Sequence, residues 1–300
     1  MEKDRPNASR LWNYINRHHL RDVDLLDLEN FKSGRINHKL ALWNPETNGI
    51  RYLKELILNI SAGLTDTEWE KLKRIQGRES GSPHAIRFRG EVVCLDYLQA
   101  VLESVVIEKN VNLRGASVIE IGAGYGRTCH ALLSNYALSR YTILDLRNAL
   151  NLARCYLKSV LDGYQFEKID FIEVDRFDEA FRKNYDLCLN IDSFAEMDAD
   201  TVRVYLRFID EYCRYLYVKN PVGKYLKNAV DNQTSGDETV SMAMETGILR
   251  DIVDIYDSEA VAAAAVKFLE AYRPSPSWIC LDHGWAKPWS YYWQAVYRKT

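Results

Sequence analysis

Glu120, Gly122, Gly124 and Gly126 stand at alternate positions in Val118-Ile-Glu-Ile-Gly-Ala-Gly-Tyr-Gly126, at the end of a short apolar stretch. Thr128-Cys-His-Ala-Leu-Leu-Ser134 follows at once and reads as a helix. A strand, a tight glycine turn and a helix start, in that order, bring bare backbone and the positive end of a helix to a polar ligand. The acid just ahead of the turn adds a partner for a cation. The spacing differs from the G-x-G-x-x-G of dinucleotide sites, whose third glycine lets a helix close over a pyrophosphate. That difference argues against a nucleotide-dependent oxidoreductase or epimerase.

The compact E-x-G-x-G-x-G turn resembles the cofactor loop of class I S-adenosylmethionine (SAM) methyltransferases. By that resemblance Gly122, Ala123, Gly124, Tyr125 and Gly126 bring backbone to the methionine portion of SAM, and Glu120 faces its ammonium group. The reaction product would be S-adenosylhomocysteine (SAH). Further residues of the right type close the following strands. Asp145, with Leu146 behind it, ends Tyr141-Thr-Ile-Leu-Asp145. A carboxylate there can accept both ribose hydroxyls, and an aspartate also suits the cap of the next helix. Asp175 ends Phe171-Ile-Glu-Val-Asp175, where it could take the adenine amino group or be a solvated turn acid. Asn190-Ile-Asp192-Ser193 ends the fourth strand, where Asn190 and Ser193 would by the resemblance contact SAM and Asp192 could orient or deprotonate an acceptor hydroxyl or amine. Asp192 or Ser193 could equally cap the helix beyond.

One more cluster lies near the end of the chain. His283-Gly-Trp-Ala-Lys-Pro-Trp289-Ser-Tyr-Tyr-Trp293 gathers aromatic faces of the kind that stack on sugar rings, although alternating Trp and Tyr is also ordinary edge-strand packing. Histidine is the residue type that titrates near neutral pH, so His283 is a candidate general base and His84 a weaker one. No His, Cys or carboxylate set has metal-ligand spacing, so no metal is expected.

Positioning these groups needs strands that end on one side. From about residue 116 strand and helix patterns alternate: strands at 117–121, 141–145, 171–175, 185–190 and 215–219, with helices at 127–136, through Leu150, Ala153, Leu157 and Val160, and near 199–212. Such alternation means a parallel sheet with helices on both faces. Two last strands, 278–281 and 291–297, are joined too closely for a helical crossover and should pair antiparallel. The fold class expected is therefore α/β, a class I methyltransferase Rossmann-like sheet of five parallel strands plus a terminal antiparallel hairpin. A helical N-terminal cap is expected over residues 1–88, with the SAM-binding domain over 89–300. Within the cap, Tyr52–Leu58 is helical and Thr65-Asp-Thr-Glu68 is a capping-box pattern before Trp69. Gly77–His84 is a turn-rich hinge, and 91–108 carries helical spacing. Residues of about 220–275 form an insertion, whose polar start at Asp231–Asp237 suits a substrate loop.

Bulk properties narrow the classes. The 300 residues carry 47% hydrophobic side chains, enough for a substantial core, and a net charge of −3 gives no electrostatic footprint for nucleic acid. Six scattered cysteines without C-x-x-C read as reduced thiols. Met1-Glu-Lys-Asp-Arg-Pro6 has no apolar signal core and no run reaches membrane-spanning length, so a cytoplasmic protein with no membrane partner is expected.

Four blocks carry a narrower resemblance: Gly81-Ser-Pro with Asp96-Tyr-Leu; Ile119 to Gly126; Leu144-Asp-Leu with Tyr156-Leu; and Ile191-Asp-Ser-Phe-Ala-Glu-Met197. Over roughly residues 50–297 the chain resembles the sugar O-methyltransferase family of bacterial polysaccharide and antibiotic gene clusters. Ala195 stands where that family commonly has glutamine. The resemblance implies SAM as cofactor, a small-molecule sugar or glycoside as partner, and an acceptor pocket framed by the N-terminal helices and the insertion. Asp192 and His283 would share the base role. Aminoglycoside N-methyltransferases are the nearest alternative and a non-catalytic SAM-fold scaffold the lesser one. The N-terminal helices could also serve a homodimer.

Overall fold

A computed structural model describes residues 7–18, 49–225 and 237–300. A hairpin of β1 (Ala85–Phe88) and β2 (Glu91–Cys94) precedes the main sheet. The main sheet holds β3 (Ser117–Ile121), β4 (Arg140–Asp145), β5 (Ile169–Glu173), β6 (Tyr185–Ile191), β7 (Cys213–Pro221), β8 (Trp278–Trp285) and β9 (Tyr292–Lys299). Their spatial order is β5-β4-β3-β6-β7-β9-β8. Strands β5 to β7 run parallel, and β9 and β8 close the edge antiparallel. This is the class I methyltransferase arrangement expected from the alternation of elements.

The central strands are apolar on both faces because helices cover both. Side chains alternate across a strand, so Val118, Leu187 and Leu189 enter one core while Ile119, Ile121 and Cys188 enter the other. The first core is covered by helices Leu95–Asn110, Arg127–Asn135 and Arg147–Val160, through Ile107, Leu132 and Leu157. The second is covered by Ala199–Tyr212 and Ser258–Ala271, through Tyr205, Phe208, Val261 and Phe268. Full burial of a leucine, isoleucine or phenylalanine stabilises by roughly 1.5–3 kcal/mol. The second half of the expected insertion is thus part of the sheet's own cover. Of its polar start only Asp237 is among the described residues; 231–236 lie outside them.

Ahead of the sheet, helices Ile50–Gly63 and Asp66–Arg74 form a third core with β2 and the first turns of Leu95–Asn110. The capping box is present: Thr65 Oγ1 accepts from the Glu68 N–H at 3.3 Å, and Glu68 Oε2 accepts from the Thr65 N–H at 2.7 Å. Helix Arg10–His18 docks separately, burying Leu11 and Ile15 beside Met242 of helix Asp237–Glu245 in the first core.

Three local expectations change. Residues 91–94 are strand, and the helix starts at Leu95, because Arg89 and Gly90 take positive φ (47° and 85°) and turn the chain into a hairpin. The third strand ends at Glu173, so Asp175 belongs to a 3-10 segment, Val174–Arg182. His283-Gly-Trp285 is strand rather than turn, since pairing resumes after a bulge between Cys280 and Asp282 and runs to Trp285 opposite Trp293.

Candidate active site

The chain leaves β3 toward β4 on one side and later returns to β6 on the other. Strand order reverses there, and the crevice at the carboxyl ends is where an open α/β sheet holds ligands. An open cleft of about 930 Å³, solvent at its mouth included, occupies this position. Glu120, Gly122, Ala123, Gly124, Tyr125, Asp145, Leu146, Asp192 and Ser193 all line it.

The turn's glycines have separable reasons. All three take positive φ, at 77°, 59° and 90°, a region that L side chains rarely enter. A Cβ on Gly122 would lie 2.1 Å from Ser193 Oγ, and one on Gly126 would lie 2.8 Å from Leu157 Cδ1. Gly122 and Gly126 therefore let β3 close against the end of β6 and helix 147–160. Gly126 does not line the cleft, whereas the N–H of Gly124 donates to Asp145 Oδ2 at 2.9 Å. The Leu146 N–H donates to Asp145 Oδ1 at 2.7 Å, so the acid that closes β4 is fixed by backbone at both oxygens. Burial still outweighs those bonds and raises its pKa to about 6.

Glu120 is almost wholly buried, and Tyr141 donates to its Oε2 at 2.7 Å. Burial raises its pKa to about 7, against the opposing pull of Tyr141 and Arg127. A carboxyl so placed ionises readily once a cation arrives.

Asn190 works behind the cleft rather than in it. Its Nδ2 donates to the Ile121 carbonyl at 3.0 Å and to Ser193 Oγ at 2.6 Å, while its Oδ1 accepts from Asn220 Nδ2 at 2.8 Å. These bonds tie the ends of β3, β6 and β7 together. Ser193 completes the clamp by donating to the Ile121 carbonyl at 3.0 Å.

Asp192 is one of few non-glycine residues with positive φ (70°), a conformation that costs about 1–3 kcal/mol. The twist presents its carboxylate to the cleft, and its Oδ1 accepts from Tyr292 at 2.6 Å. Burial, with Asp192 beside it, pushes the Tyr292 phenol well above its ordinary pKa, so that hydroxyl stays a donor. Tyr292 comes from the aromatic turn and was not singled out in the sequence, because alternation alone does not say which aromatic faces inward.

The turn's other residues divide. Trp289 Nε1 donates to Gln99 Oε1 at 3.2 Å, which anchors the turn on helix 95–110. His283 points elsewhere. It is exposed on the edge strand β8, its Nδ1 accepting from Trp293 Nε1 at 3.3 Å, and it does not line the cleft. It is therefore not brought to Asp192, with which it was expected to share the base role: β8 lies three sheet positions from β6. Asp175 is exposed and also outside the cleft, whose lining takes Val174 instead. His84 is half-buried before β1, held below the usual imidazole range by burial and by Lys54, and is likewise not a lining residue.

Beneath the cleft lies a buried charge cluster with no counterpart in the sequence reading. Glu103 Oε2 accepts from Arg127 Nη2 at 2.8 Å, and its Oε1 accepts from Lys219 Nζ at 2.7 Å. Burial lowers the Lys219 pKa, with Glu103 pulling the other way. Arg127 is the first residue of the helix after the glycine turn and also lines the cleft. Tyr125 donates to Asp96 Oδ2 at 2.6 Å, fixing the turn to helix 95–110 from the other side. Helical spacing places Asp96, Gln99 and Glu103 on one face. Only tertiary contact shows that this face is the cleft's support.

Asn7, Ser9 and Trp12 also line the cleft. Among the described residues no group of three or more His, Cys, Asp or Glu could hold a metal ion, and no helix is long and apolar enough to cross a membrane.

No protein-family model and no curated protein matches the chain. Solved structures resemble it distantly. The methyltransferase domain of bacterial CtHen1 is 17% identical, over 67% of this chain and 97% of that one, with a TM-score of 0.48. The mitomycin 7-O-methyltransferase MmcR is 16% identical, over 97% of this chain and 68% of that one, with a TM-score of 0.41. PigF, solved with SAH, is 17% identical, over 68% of this chain and 59% of that one, with a TM-score of 0.42. At these values the sheet order and the cleft residues carry the argument, and the likenesses do not.

Proposed function

We propose that this protein is a SAM-dependent methyltransferase that places a methyl group on a hydroxyl of a sugar or glycosylated natural product. One observation carries the cofactor assignment: the glycine turn sits at the reversal point of the sheet, and Glu120 and Asp145 both line the cleft there. The residues present fit SAM. Glu120 suits an ammonium group, the Asp145 carboxylate suits ribose hydroxyls, and Leu144, Leu146, Val174 and Ile191 offer apolar walls to the rest. When bound, SAM supplies an electrophilic methyl on sulfur.

The chain's own part is to orient and to move a proton. Asp192 stands at the cleft with Oδ1 occupied by Tyr292, which leaves Oδ2 to receive the acceptor's proton. Tyr292 keeps the carboxylate from rotating. Holding acceptor and methyl in line supplies much of the rate, since orientation alone can be worth about 7–11 kcal/mol. General-base help from Asp192 adds typically 10²–10⁴-fold. The sugar acceptor rests on the four-block resemblance, with Tyr292 as the aromatic residue whose hydroxyl reaches Asp192.

Incubation with methyl-labelled SAM and a panel of nucleotide sugars, glycosides and aminoglycosides, read by mass spectrometry and NMR, tests the reading. A methyl ether is expected. A methylated amine would move the chain to amino-sugar N-transfer, and SAH binding without any product would favour a scaffold.

A further inference from the structure

The segment Asn7–Trp12 was expected to belong to a cap over the acceptor, yet it forms a wall of the cofactor cleft itself. Ser9 is fully buried, and its hydroxyl donates to the Glu196 carbonyl at 2.5 Å. Ser9 also caps the helix that follows, accepting from the Trp12 N–H at 3.2 Å. Thr201 donates to the Asn7 carbonyl at 3.4 Å. Glu196 and Thr201 follow β6, so the segment lies across the same side of the crevice that carries Asp192. Leu11 and Ile15, one helical turn apart, anchor it in the core at 1% and 0% exposure. Between those anchors the half-buried Trp12 lines the cleft.

We propose that Trp12 is a cofactor-binding residue and that the Asn7–Trp12 segment closes the cofactor's side of the cleft. The inference rests on the SAM reading above. Asn7, Ala8 and Ser9 line the cleft as well, but the Ser9 hydroxyl is committed to Glu196, and Trp12 is the one aromatic side chain the segment brings to the lining. An aromatic face gives large contact area at little cost in side-chain freedom. Because the wall is held by two side-chain-to-carbonyl bonds and two apolar anchors, a ligand seated against it should tighten the whole segment, and its departure should loosen it.

The test uses the full chain and SAH. Calorimetric titration should show SAH binding the unaltered protein, with Trp12→Ala weakening it about tenfold and Trp12→Phe restoring most of the loss. Melting without ligand should fall in Trp12→Ala, since the indole packs against the first core, and largely recover in Trp12→Phe. Hydrogen exchange of the unaltered protein needs no variant: saturation with SAH should slow the amides of residues 10–18 at least about tenfold. SAH binding with unchanged affinity in Trp12→Ala, or with no added protection of that segment, overturns the inference while leaving the SAM reading intact. Absence of SAH binding to the unaltered protein overturns both.

Discussion

Two regions of the chain present chemistry-bearing residues in quick succession: the turn after β3 and the aromatic run from the end of β8 to the start of β9. In the first, residues contiguous in sequence stay contiguous in space, since one tight turn at one strand end places them all. In the second, strand alternation and a bulge at Cys280–Asp282 sort the residues by face. Tyr292 is delivered to Asp192, Trp289 to Gln99, and His283 to the exposed edge. A site written into a turn is set by local geometry. A site written into a strand depends on register, and a single bulged residue reassigns it.

Breaking the turn should have the largest effect. Gly122→Val forces a branched side chain onto Ser193 at a positive φ. We expect SAH binding to vanish and stability to fall by about 2–4 kcal/mol, from backbone strain plus overpacking. Denaturant melts beside Gly90→Ala sharpen the comparison. That glycine has positive φ but open space around it, and should cost only about 1 kcal/mol. Equal losses in the two variants would mean that the close approach to Ser193 does not matter.

Next comes the delivered pair. Asp192→Asn should slow methyl transfer about 10²-fold or more while SAH affinity stays within about twofold. Tyr292→Phe should give a smaller loss, and none when added to Asp192→Asn, because Tyr292 acts through that carboxylate. Additive losses in the double variant would separate the two residues.

The pH response of Glu120 is the third probe. Its folded pKa of about 7 lies above its ordinary 4.5, so its neutral form stabilises the ligand-free fold. That contribution is complete below about pH 4.5 and is lost as pH rises through about 7, up to roughly 3 kcal/mol. An ammonium ligand prefers the ionised form, so SAH binding should tighten as pH rises through that range. Glu120→Gln should reduce both slopes, leaving the share of Asp145, whose pKa is also raised, to about 6; parallel slopes in parent and variant would assign them to another group. Smallest is His283→Ala, for which a transfer rate within about twofold of the parent is expected. A hundredfold loss there would restore the histidine to the mechanism.

Much of the sheet was legible in the sequence because each buried strand is a short apolar run with punctuation at both ends. The glycine turn, Asp145 and Asp192 were legible for the same reason: they stand at strand ends, and strand ends face one crevice. Asp175 was misplaced by two residues of strand length, enough to carry it out of the cleft. Strand β2 was read as the start of a helix because Val92, Val93 and Leu95 fit either period over so short a span. Glu103, Lys219 and Arg127 gave no local signal, since their pairing joins a helix, a distant strand and the turn. Trp12 gave none either: nothing in the sequence around an N-terminal helix says which wall it becomes.

The central claim is that the crevice between β3 and β6 is a SAM site, and SAH titrated calorimetrically against NAD as control tests it most directly. We predict saturable binding of one SAH per chain, abolished in Gly122→Val, with no heat from NAD. NAD binding in place of SAH, or SAH binding that survives Gly122→Val, would contradict it.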